Sequence, residues 1–129
     1  MCLPSSIDKV IFLALSKSNG CDYCMAAHST RAANFFGVPK EILSAIRSGT
    51  KFPYNKIAAL YALVVKANEN RGRPEPMLVN DFLNAGYSEK DLLAIISTLS
   101  VKILSNYSNH LFDTDVDVAF VEYKPHFIS

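Results

Sequence analysis

Apolar residues recur three and four positions apart in six segments, each bounded by residues that start or stop helices. Ser5 or Ser6 is placed to cap a first helix running to about Ser18. Its apolar residues Ile7, Val10, Ile11, Phe12, Leu13, Ala14 and Leu15 cover so much of the circumference that burial on most sides follows. Asn19-Gly20 breaks it, and a second helix starts close to Cys21, carries Ala26, Ala27, Ala32, Ala33, Phe35 and Phe36, and stops at Gly37. Pro39 starts a short third helix, Lys40 to Ser48, closed by Gly49; Pro53 opens a fourth through Ile57, Leu60, Tyr61, Val64 and Val65. After the loop Asn70-Arg71-Gly72-Arg73-Pro74, a fifth covers about Pro76 to Ala85 and ends at Gly86. Ser88, with Asp91 three residues on, caps a long sixth helix through Leu92, Leu93, Ile95, Ile96, Leu99, Ile103 and Leu104 towards Phe112. Asp115-Val116-Asp117-Val118 alternates like a strand but has no partner, so the tail reads as an extended arm packed on the helices or on another subunit. The expectation is an all-α single domain, residues 1–129, a bundle of about six helices.

Composition narrows the function classes. The 129 residues suit one compact domain; half are apolar and 19% are charged, which excludes a disordered chain. A net charge of +1 gives no electrostatic reason to expect nucleic acid or an anionic membrane as partner. The longest apolar stretch, Val10 to Leu15, is far short of the roughly 20 residues that span a bilayer, and the Met1 end lacks a secretion signal. A cytoplasmic protein is expected. Three cysteines, Cys2, Cys21 and Cys24, make no secreted disulfide framework and fit a reducing compartment with one special pair.

That pair lies in Asn19-Gly20-Cys21-Asp22-Tyr23-Cys24-Met25-Ala26-Ala27-His28. Spacings of three and four put Cys21, Cys24 and His28 on one face of the second helix. A thiol reacts as its thiolate, and two influences favour that form here: the positive end of the helix dipole and the imidazole of His28, which can also take the thiol proton. A second cysteine three residues away can attack an oxidised first one and close a disulfide.

Other readings compete. A zinc site would need Cys2, His110 or His126 as further ligands, and no second ligand pair is present; covalent haem needs His where Met25 stands. Two inert cysteines packed in the core are the bland alternative. His110, in the polar run Asn106-Tyr107-Ser108-Asn109-His110, is placed to line a pocket or cap a subunit contact, whereas His126 in the tail carries no signal. Asp113-Thr114-Asp115-Val116-Asp117 opens like a calcium loop, but Val118 replaces the glycine and Lys124 the bidentate glutamate. Arg71 and Arg73 read as solvent-exposed loop cations. No metal or cofactor is expected.

With those residues in view, the chain resembles the carboxymuconolactone decarboxylase and alkyl hydroperoxidase D (AhpD-like) superfamily. The resemblance rests on the Cys21-x-x-Cys24-x-x-x-His28 element with its Asn19-Gly20 lead-in, on Ile57-Ala58-Ala59-Leu60-Tyr61-Ala62, the Gly72 loop, Phe82-Leu83-Asn84-Ala85-Gly86-Tyr87-Ser88, and Asn106 to His110. It implies an all-helical fold forming homo-oligomers, commonly trimers or dimers of trimers. It also implies a peroxidase-type reaction in which the pair cycles between dithiol and disulfide, reducing a small hydroperoxide with electrons from a dithiol donor such as a lipoyl protein. Cys24 would be the peroxide-reactive thiolate, Cys21 the resolving cysteine and His28 the proton-transfer residue. The decarboxylase branch typically lacks the cysteine pair.

One position departs from the pattern. Where such peroxidases resemble one another in a glutamate twelve residues before the first cysteine, this chain has Lys9, and Asp8 points about 100° away on the helix. With Cys21, Cys24 and His28 in register, the function expected is an antioxidant thiol peroxidase. The alternatives are a catalytically weak, redox-responsive binding or scaffold protein, and a decarboxylase-like enzyme acting on a small lactone.

Overall fold

The computed structural model describes residues 5–125, with side chains from Ile7 onward; Cys2 and His126 lie outside that range. Six α-helices follow in order: α1 (Ser5–Ser18), α2 (Asp22–Asn34), α3 (Lys40–Ser48), α4 (Asn55–Glu69), α5 (Pro76–Asn84) and α6 (Glu89–Leu111). A 3-10 helix, Val118–Tyr123, completes the chain, and no strand occurs among the described residues. The expected cap of α1 falls on Ser5 and Ser6, whose side chains are not described.

α1 is the centre of the molecule because its stretch Val10 to Leu15 is apolar all round. Val10, Ile11, Leu13, Ala14 and Leu15 are buried, and the helix packs against α2, α3, α4 and α6. Leu60, Leu63 and Val64 of α4 and Phe82 of α5 extend this core, with the Phe82 ring stacked on Tyr87 at 4.4 Å between centroids. Full burial of side chains this size contributes about 1.5–3 kcal/mol each before cavity effects.

Helix ends follow the sequence signals closely. α3 stops at Gly49, which takes a left-handed φ of 73° that a side chain would resist. Ser88 and Asp91 form the reciprocal capping box at the start of α6.

Two expectations need correction. α2 ends at Asn34 rather than near Gly37: the backbone turns so that Val38 N–H donates to Ala32 O, and Phe35 and Phe36 are left outside the helix, 76% and 39% exposed. Tertiary closure by the buried Val38 outweighs continuing the helix through two aromatics. The tail, for its part, is not extended throughout. Val118–Tyr123 winds into a 3-10 helix that packs on α2, held by a hydrogen bond from Tyr23 Oη to Asp117 Oδ2 (2.8 Å), by edge-on packing of Tyr23 and Phe120, and by Arg47 donating to Tyr123 O.

Candidate active site

The site begins with the turn between α1 and α2. Gly20 takes a φ of 63°, and Cys21 follows as the N-cap of α2, with extended rather than helical backbone. The turn is fastened by asparagines. Asn68 Nδ2 donates to Asn19 Oδ1 (2.8 Å), and Asn19 Nδ2 donates to the buried Asn106 Oδ1 (3.0 Å), tying α4, the turn and α6 together.

Cys21 thus differs from the expected first-turn residue. Its sulfur accepts from Cys24 N–H at 3.4 Å, taking the place of the usual capping oxygen. Both thiols are free and buried, 1% and 2% exposed. They face different openings. Cys24 lines a narrow cleft of about 220 Å³ whose apolar wall is Phe12, Ala27 and Val101; Cys21 lines a polar one of about 340 Å³ with Asn109 and His110. A larger cavity of about 630 Å³ lies between α2, α3 and the arm and contains neither cysteine.

α6 supplies what the local motif does not contain. Asn109 Nδ2 donates to Cys24 Sγ at 3.2 Å, and Ser105 Oγ lies 3.6 Å from the same sulfur. Cys24 is held well below the ordinary thiol pKa, first by the Cys21 thiol donating to it, then by Ser105, the positive charge of Lys102 and Asn109, against the opposing effect of burial. The Cys21 thiol is pushed up, because it is the donor in that pair and is itself buried. Of the two thiols, Cys24 is the one whose surroundings favour the thiolate.

His28 occupies the expected position one turn beyond Cys24 but not the expected contact. Its Nε2 lies 2.7 Å from Lys102 Nζ, its ring stacks on Phe12, and no hydrogen bond joins it to either sulfur. Burial, with Lys102, Arg31 and Lys9 nearby, pushes its pKa down to about 3, so the imidazole is neutral. An ammonium has only donors, so a charged Lys102 makes Nε2 the acceptor and leaves the ring proton on Nδ1, which is buried without a partner.

No protein-family model matches the chain, and no curated protein does. The site's chemistry therefore rests on its geometry.

The Lys9 ammonium sits over the rings of Phe12, at 5.0 Å, and Phe36, at 4.2 Å. Asp8 keeps a buried, unpartnered Oδ1, and its pKa is raised by burial. His110 is exposed and stacks on Tyr107. Among the described residues no three His, Cys, Asp or Glu side chains converge as a metal site requires. Lys102, Ser105 and Asn109 are the residues that the local motif does not reveal. Their signal is a polar stripe, Thr98, Lys102, Ser105 and Asn109, at spacings of four, three and four through an apolar helix.

Proposed function

We propose that the protein is an AhpD-like dithiol peroxidase, in which Cys24 reduces a small hydroperoxide and Cys21 resolves the product. The observation that carries this reading is the asymmetry of the pair: Cys24 accepts hydrogen bonds from Asn109 and Cys21 and faces an apolar-walled cleft, while Cys21 keeps its proton. A thiolate at Cys24 attacks the peroxide, and the neighbouring Cys21 condenses with the resulting sulfenic acid. The second opening supports the return half. A dithiol donor such as a lipoyl protein, reaching Cys21 through the polar cleft, would expel Cys24, because the sulfur with the lower pKa leaves faster. A reducing compartment such as the cytoplasm suits this cycle.

A homo-oligomer, a trimer or hexamer, belongs to the same proposal. The outward face of α6 bears Leu93, Ile96, Leu104 and Leu111, between 48% and 83% exposed, and Val101, which lines the Cys24 cleft, borders it. Burial of this face against another copy would place subunit contacts beside the site. It also favours a second reading, in which oxidation of the pair changes assembly.

Peroxide added to the reduced protein should produce a Cys21–Cys24 disulfide with consumption of one peroxide per pair. Cys24→Ser should abolish this, and Cys21→Ser should stop at a sulfenic acid that dimedone traps. Unchanged peroxide consumption in Cys24→Ser would overturn the assignment. Light scattering of the two redox forms tests the second reading, which fails if their sizes agree.

A further inference from the structure

Lys102 is buried at 2% exposure, and no carboxylate pairs with it: among the described residues the salt bridge formed is Lys66–Glu69. A buried ammonium without a counter-ion is costly unless something nearby becomes negative. The groups facing it are Cys21 at the cap of α2, Cys24, His28 and Arg31 of α2, and the Phe12 ring of α1, on which Lys9 also rests. Of these, the anion available at neutral pH is the Cys24 thiolate. Lys102 and Cys24 line the same cleft, and Ser105, one turn along α6 from Lys102, touches the Cys24 sulfur.

We propose that Lys102, not His28, takes the proton of the Cys24 thiol and returns it to the oxygen expelled when the peroxide bond breaks, while His28 is a positioning residue that fixes the lysine by accepting from it. The second half rests on the peroxidase reading; the first does not. His28 is unsuited to the role because Nε2 is occupied by Lys102 and Nδ1 points into protein with no partner. Lys102 suits it because burial lowers its pKa, bringing proton release closer to neutral pH.

The steps balance. Proton transfer from the Cys24 thiol to the amine gives thiolate and ammonium. The thiolate attacks the terminal peroxide oxygen, the S–O bond forms as O–O breaks, and the ammonium protonates the departing alkoxide. This leaves a sulfenic acid, an alcohol and a neutral amine. That amine takes the Cys21 proton; the Cys21 sulfur displaces hydroxide from Cys24, and the ammonium protonates it to water. The net change is dithiol plus hydroperoxide to disulfide, alcohol and water, and the dithiol donor restores the pair.

The test uses the whole chain. The pH dependence of Cys24 alkylation by iodoacetamide, read by peptide mass spectrometry, is compared with the rate of peroxide-driven disulfide formation. Lys102→Met should move the alkylation midpoint up by at least about one pH unit and slow disulfide formation roughly a hundredfold. Lys102→Arg, which keeps the charge but cannot release the proton, should restore the midpoint and not the rate. His28→Ala, which removes the lysine's acceptor, should slow disulfide formation, and His28→Gln, which retains one, should recover most of that loss. An unshifted midpoint in Lys102→Met, or a His28→Gln variant as impaired as Lys102→Met, would overturn the proposal; Lys102→Arg, with its conserved charge, serves should the methionine variant misfold. A wild type inert to peroxide but with Lys102-dependent alkylation would sink the peroxidase reading and uphold the first half of the proposal.

Discussion

The two faces of α6 carry opposite kinds of residue. Inward, Thr98, Lys102 and Asn106 are at most 3% exposed alongside Ala94 and Ile95; outward, Leu93, Leu104 and Leu111 are at least 70% exposed. A helix selected for monomer stability alone would be turned the other way, since burying leucines stabilises and burying a lysine costs. The inward face serves the sulfurs, through Ser105 and Asn109 on its border, and anchors the Asn19 turn through Asn106. The core around α1, α4 and α5 bears the stability that this arrangement forgoes.

The contrast can be broken by substitution. Ile95→Ala, which empties a packed apolar position at 2% exposure, should cost about 2–5 kcal/mol in urea unfolding. Lys102→Met should also cost stability at neutral pH, by about 1–3 kcal/mol, because the Cys24 thiolate loses the positive charge facing it and stays buried unpaired or takes up a proton. A gain instead would mean that the thiolate does not compensate the buried ammonium. Acid should expose His28: its folded pKa, about 3, lies below the unfolded value near 6.5, so the unfolded chain binds the extra proton. Stability is therefore complete above about pH 6.5 and falls by up to about 1.4 kcal/mol per pH unit on the way down to pH 3. His28→Gln should remove that slope in urea titrations at successive pH values. The smallest effect on the isolated chain belongs to Leu104→Ser, within about 0.5 kcal/mol, while sedimentation should show weakened self-association.

Much of this was legible locally. The apolar circumference of α1, the Ser88–Asp91 box, Gly49 and the Cys21, Cys24, His28 spacing depend on neighbours a few residues apart, where periodicity and capping rules operate. Phe35 and Phe36 misled because a helix stop was set by the return of Val38 to the core, which no local rule contains. Lys102, Ser105 and Asn109 were hidden for a related reason. They meet Cys24 and His28 across 74 to 85 residues of chain, and the many leucines and isoleucines of α6 gave it the look of an ordinary core helix. Apolar periodicity reports that a helix has two faces; it does not report which one turns inward.

The hydrogen bonds on the Cys24 sulfur have an electrochemical meaning. Donors such as Asn109 hold a negative sulfur best, and that stabilisation is lost when the sulfur enters a disulfide. Whatever steadies the thiolate thus steadies the reduced protein, raising the pair's reduction potential by about 30 mV for each 1.4 kcal/mol. A disulfide between these two cysteines would be correspondingly easy to reduce.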